Sequence, residues 1–60
     1  MKTFEKIVLF VWRKETSDSR MDNFVEEVFF IEYSEQELED SIKKYIRNKV
    51  GYKLISRNDI

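Results

Sequence analysis

The sequence contains no cysteine and no histidine, which excludes a disulfide framework and any metal site built on thiolates or imidazoles. No stretch is long and apolar enough to cross a bilayer. A charged Glu5 and the absence of a small-residue cleavage site argue against a secretory signal in the first residues. Because a cysteine-free chain fits a reducing compartment, we expect a cytoplasmic protein that has no contact with membranes.

Glycine occurs once, and there is no glycine-rich loop that could hold a phosphate group. Without histidine or cysteine, the remaining candidates for acid–base chemistry are carboxylates such as Glu26 and Glu32. On a strand these two lie roughly 20 Å apart, which is too far for a catalytic pair. We therefore expect no enzyme activity, no cofactor and no metal.

What is present is a chain of 60 residues, treated as one small domain over residues 1–60. A domain of this size buries only about 60% of the surface that its unfolded chain exposes. Since disulfides and metals are excluded, association with another chain gains weight as a source of stability.

Residues 3–14 and 24–33 are rich in Val, Ile, Phe and Trp, which favours two strands. The polar segment between them, residues 15–23, predicts the connection of a long hairpin. A short third strand is predicted at residues 52–56.

Between the second and third strands, the sequence predicts a helix over about residues 35–50. Ser34 and Glu37 have the spacing of a capping box, and Gly51 is placed to end the helix. One apolar stripe follows helical spacing: Leu38, Ile42, Tyr45, Ile46 and Val50.

The order strand–strand–helix–strand predicts an α+β fold with a three-stranded sheet in the order 2-1-3. The helix packs on one face of that sheet. The third strand then lies beside the first and antiparallel to it, and the apolar first strand occupies the centre.

The run IVLFVW, residues 7–12, offers apolar side chains to both faces of the sheet. We assign its aliphatic set to the helix side, because such side chains pack closely against a helix: Ile7, Leu9 and Val11. This choice leaves four aromatic residues on the uncovered face, with two acidic residues at its rim: Phe10, Trp12, Phe24 and Phe30, with Glu26 and Glu32. Aromatic residues are enriched in the cores of protein interfaces. The alternative is that a bulge turns part of a strand, so that some of these aromatic residues belong to the core.

Charge is segregated along the chain. Residues 21–40 hold eight acidic and no basic residues, and residues 41–60 hold six basic residues and one acidic residue. A nucleic-acid surface at the basic end of the helix would use Lys43, Lys44 and Arg47. The acidic second strand and a pI near 5.4 disfavour that alternative.

From FFIEYSEQELEDSIKKYIRNKVGYKLISR, a strand leads into an acidic capped helix, then Gly51, Tyr52 and a final strand. This order resembles small phage-encoded inhibitors of host proteins, including an inhibitor of bacterial RNA polymerase. The resemblance covers about half of the chain and implies only a class, that of small proteins that bind and inhibit a host protein.

Three functions follow as hypotheses. The first is a non-enzymatic protein-binding module that acts through the helix-free sheet face and inhibits a host protein. The second is a structural module in which the same face forms a homodimer. The third is nucleic-acid binding through the basic end of the helix.

Overall fold

The computed structural model describes residues 2–60. The elements in chain order are β1 (Phe4–Lys14), a 3₁₀ turn (Arg20–Asp22), β2 (Phe24–Glu32), α1 (Glu35–Arg47) and β3 (Tyr52–Asp59). The strands form one sheet in the order β2-β1-β3, and both neighbours of β1 are antiparallel to it. The predicted α+β architecture and strand order are confirmed.

The helix begins as its sequence predicts. The Ser34 hydroxyl accepts a hydrogen bond from the Glu37 backbone N–H at 3.1 Å. It ends at Arg47, earlier than predicted, because Asn48 caps it by donating its backbone N–H to carbonyls of the last turn. Gly51 then adopts a left-handed conformation, with φ of 86°. Val50 therefore lies outside the helix and is 85% exposed, so its assignment to the apolar stripe is wrong.

β3 is longer than predicted, and a register shift explains why its pattern is hard to recognise. Val11 is opposite Ser56, whereas the next residue, Trp12, is opposite Leu54. Ile55 is the additional residue, and it interrupts the alternation of apolar and polar side chains that marks a strand.

The core lies between the helix and one face of the sheet. It contains Val8, Phe10, Trp12, Phe30, Leu38 and Ile42. The aromatic set of β1 therefore faces the helix, and our assignment of the two faces is wrong. Within the β1–β2 pair, the register runs without a break from Phe4 to Trp12. A bulge between these strands is therefore not the reason why the two faces are the reverse of those predicted.

Ring size gives the physical reason. The helix contributes only two buried side chains, those of Leu38 and Ile42. A single short helix needs large partners to exclude water from the sheet below it, and a buried aromatic side chain removes about 150–250 Å² from solvent. Phe10 stacks on Tyr45 of the helix with ring centroids 5.5 Å apart, and Phe30 meets the same ring edge to face at 5.7 Å.

We expect Ser34→Ala to lower the free energy of unfolding by about 1 kcal/mol, because the Glu37 N–H loses its acceptor. Urea denaturation followed by circular dichroism measures this change. Ser34→Asp retains an acceptor at the same place and serves as the matched control. An Ala variant as stable as the Asp variant would contradict the assigned cap.

Candidate functional site

The sheet face without the helix carries an apolar ladder across β1 and β2. By the alternation of strand side chains, its six apolar members are Ile7, Leu9, Val11, Val25, Phe29 and Ile31. The three on β2 are the most open, with Val25 66%, Phe29 56% and Ile31 48% exposed. Within residues 2–60, the helix packs on the opposite face of the sheet. An apolar surface that continues across two strands is typical of a protein-interaction site.

Four of the six ladder members lie directly opposite one another. Ile7 pairs with Phe29 and Val11 pairs with Val25, so the side chains meet across the two strands. On the other side of β1, the residues opposite Val11 and Leu9 are Ser56 and the neighbouring Asn58. Opposite the ladder, β3 therefore presents the polar Ser56 and Asn58, and the bulged Ile55 next to Ser56 is 39% exposed.

Glu27 interrupts the ladder at its middle, where it lies opposite Leu9. Its side chain is exposed, and within the described part of the chain it forms no hydrogen bond or ion pair. At one end of the ladder the face carries Glu5, and at the other end it carries Arg13, whose Nε donates to Asn23 at 2.7 Å. The ladder therefore has one unmatched negative charge at its centre.

The aromatic residues predicted for the binding face lie on the opposite side of the sheet. Phe10 is fully buried, Trp12 is 1% exposed and Phe30 is 8% exposed. Phe24 is 38% exposed, but it too is on the helix side, where its ring meets Tyr52 edge to face. None of these four aromatic residues belongs to the uncovered face, and their assignment to it is wrong.

The two acidic residues predicted for the rim are also on the helix side. Glu26 accepts a hydrogen bond from the Trp12 indole Nε1–H at 3.0 Å and lies 3.3 Å from the Lys49 Nζ. Glu32 accepts from the Ser41 hydroxyl at 2.7 Å. Both carboxylates therefore stabilise the fold instead of bordering the uncovered face.

Lys49 completes the polar edge of the aromatic core. Its Nζ lies 5.5 Å from the centre of the Trp12 ring, 5.7 Å from that of Phe24 and 5.6 Å from that of Tyr52. Burial raises the pKa of Glu26, but hydrogen bonds from Tyr45, Lys49 and Trp12 outweigh it and the net pKa is lowered. Glu26 is thus held as the carboxylate that the indole N–H and the ammonium group require.

The basic residues of the chain divide into two sets. Lys43, Lys44 and Arg47 are exposed and form no ion pair within residues 2–60. Arg57, in contrast, lies 3.3 Å from Glu39 and 2.8 Å from Asp59, and its hydrogen bond lowers the pKa of each of these carboxyl groups.

The concave features are shallow. One open cleft of about 370 Å³ lies between the start of β1 and the start of α1, with Phe4 and Leu38 as its apolar walls. The described residues contain no group of His, Cys, Asp and Glu side chains arranged to hold a metal ion. No helix among them is both long and apolar enough to cross a membrane.

Tyr45 predicts a measurable alkaline transition. Burial, with the neighbouring Glu26 carboxylate, raises the pKa of Tyr45 to about 12 from its ordinary 10.0. Because the folded state holds this proton more tightly than the unfolded state, stability is fully present below pH 10 and falls as pH rises toward 12. We expect the unmodified protein to lose about 1–2 kcal/mol of unfolding free energy over this range. The loss should be smaller in Tyr45→Phe, which has no hydroxyl to titrate. Parallel urea titrations at pH 9 to 12 measure it, and identical pH profiles would contradict the assignment.

A comparison with protein-family models, curated proteins and solved structures finds no match for the chain. The candidate site therefore depends on its own geometry.

Proposed function

We propose that the chain is a non-enzymatic protein-binding module whose helix-free sheet face docks a different protein. The observation that supports this proposal is the exposed apolar ladder, which continues across β1 and β2 with more than half of the Val25 and Phe29 side chains open to solvent. Covering this ladder removes apolar area from water that the small core leaves exposed.

The central Glu27 disfavours a second copy as the occupant. If a two-fold axis crosses the strands at the middle of the ladder, it brings Glu27 of one copy onto Glu27 of the other. Glu27 lies roughly 14 Å along the strands from Arg13, the nearest cation of β1 on this face. An axis shifted to pair these two charges leaves Ile7 and Phe29 uncovered.

An axis that runs along β1 is no better for a second copy. It would lay the apolar residues of β2 over the polar Ser56 and Asn58 of β3. It would also bring Arg13 close to Arg13 of the other copy. A foreign surface escapes these conflicts, because it can combine apolar side chains with a lysine or arginine placed opposite Glu27.

The source of the partner is a further part of the proposal. The order of elements resembles small phage-encoded inhibitors of host proteins, which supports a host protein as the partner and inhibition as the outcome. The absence of cysteine supports the cytoplasm as the place where the two meet.

We expect Phe29→Glu and Val25→Glu each to abolish capture of the partner from a lysate of the source cells, because each places a second charge on the apolar ladder. Capture followed by quantitative mass spectrometry identifies the protein that is lost. Val50→Glu, which adds the same charge at an exposed apolar residue outside the ladder, serves as the control and should retain the same protein. Equal capture by all three variants would contradict this docking face.

The homodimer alternative is tested by mass in solution. We expect sedimentation equilibrium at micromolar concentration to give 7.4 kDa, the mass of one chain. A dimer that Phe29→Glu dissociates would replace the foreign partner with a second copy.

The exposed set Lys43, Lys44 and Arg47 keeps nucleic acid as a second candidate function. We expect no binding to generic DNA or RNA at physiological salt, because the acidic residues around this set repel phosphate. Fluorescence anisotropy with labelled oligonucleotides measures it. Micromolar binding that falls steeply with salt and is lost on replacing these three residues with Gln would favour the alternative.

A further inference from the structure

Within residues 2–60, no strand pairs with the outer edge of β2. β2 is nine residues long, its pairing with β1 is unbroken, and it contains no proline. Natural sheets normally interrupt such an edge by a bulge, a proline or a short strand. β3, at the other edge, has the bulge at Ile55, so the two edges differ in how open they are to pairing.

One hydrogen bond determines which backbone groups of β2 point outward. The Ile60 N–H donates to the Ile7 carbonyl at 2.9 Å, so the backbone groups of Ile7 face β3. Because these groups alternate along an antiparallel strand, those of Val8 face β2 and those of its partner Val28 face β1. The outward groups of β2 are therefore those of every second residue: Val25, Glu27, Phe29 and Ile31.

The same four residues place their side chains on the helix-free face. A segment added at this edge would therefore bond to the backbone of the residues that form the β2 side of the apolar ladder. The edge and the ladder together make one continuous binding surface.

Charge disfavours a second copy at this edge, except in the short register that centres on Phe30 and pairs only residues 28–32. Outward residues pair with outward residues, which limits two antiparallel β2 strands to a few registers. With Glu27 opposite Phe29, the two Glu27 side chains are diagonal neighbours. With Glu27 opposite Ile31, Glu26 lies opposite Glu32. Aligning Glu27 with Glu27 places these two carboxylates opposite each other. Aligning Glu27 with Val25 does the same for the two Glu26 carboxylates. Like charges directly opposite one another destabilise a strand pair.

A basic strand would instead be attracted to this edge. Residues 21–40 contain no Lys or Arg, and Glu27 is unmatched among the described residues, whereas Glu26 is already paired with Lys49. We propose that the outer edge of β2 accepts an extended basic segment of the partner protein as a fourth, antiparallel strand. This inference depends on the proposed function for its partner and specifies the form in which that partner binds.

The probe is a nine-residue peptide of valine and threonine with one central lysine, which lies opposite Glu27 when the peptide pairs with β2. Amide hydrogen exchange by NMR should show slower exchange at Val25, Glu27, Phe29 and Ile31, with no change at the intervening residues, which already bond to β1. The same peptide with glutamate for lysine, or with every backbone nitrogen methylated, should give no protection. Failure of the lysine peptide to protect these alternate amides would overturn the proposal.

A pair of protein variants isolates the backbone contribution. Phe29→Pro removes one outward N–H without removing a bond to β1, and we expect peptide affinity to fall by about fivefold relative to Phe29→Ala. Circular dichroism and the urea midpoint establish that both variants are folded. Equal affinity of the two variants overturns the proposal.

The two proposals fail separately. Loss of partner capture in Val25→Glu without protection of alternate amides overturns only the fourth strand. Protection of these amides with unchanged capture by Val25→Glu overturns only the docking face.

Discussion

Trp12 can be buried under the helix because Glu26 accepts its indole N–H and Lys49 balances the Glu26 charge. A buried indole without an acceptor, or a carboxylate at this depth without a cation, would each cost free energy. This three-residue contact therefore stabilises, together with the packing of the large aromatic rings under the helix, the orientation in which Phe10 and Trp12 enter the core. Once Trp12 and Phe10 face the helix, alternation along the strand places Ile7, Leu9 and Val11 on the open face. The exposed ladder is thus a consequence of the burial of the aromatic side chains of β1 on the opposite face.

The sequence was sufficient for the architecture, because the signals for it are local or follow from connectivity. The capping residues around Ser34, the position of Gly51 and the order of the elements predicted the helix and the strand order. The sequence was not sufficient for the orientation of the sheet. Alternation separates the side chains of β1 into two sets, but it does not determine which set meets the helix. That choice depends on contacts between distant residues, such as that between Glu26 and Lys49.

A signal for the correct orientation was present in the helix stripe. Tyr45 is an aromatic residue at the middle of that stripe, where its ring can stack on an aromatic residue of the sheet. Trp12 also shares its face with Glu26, which supplies the acceptor that a buried indole needs. The length of β3 was harder to predict from the sequence, because the extra Ile55 interrupts the alternation of apolar and polar residues on which strand prediction depends.

The central position of β1 also affects the order in which the fold forms. The pairing of Leu9 with Glu27 closes a loop of 18 residues, whereas the contact of Ile7 with Ile60 closes one of 53. On loop-closure entropy alone the longer loop costs about 1 kcal/mol more. The hairpin is therefore expected to form before β3 arrives, and for that interval β1 has one unpaired edge. Such intermediates aggregate readily. The carboxylates of β2 would repel those of a second hairpin. This repulsion would hinder aggregation until each chain has completed its sheet.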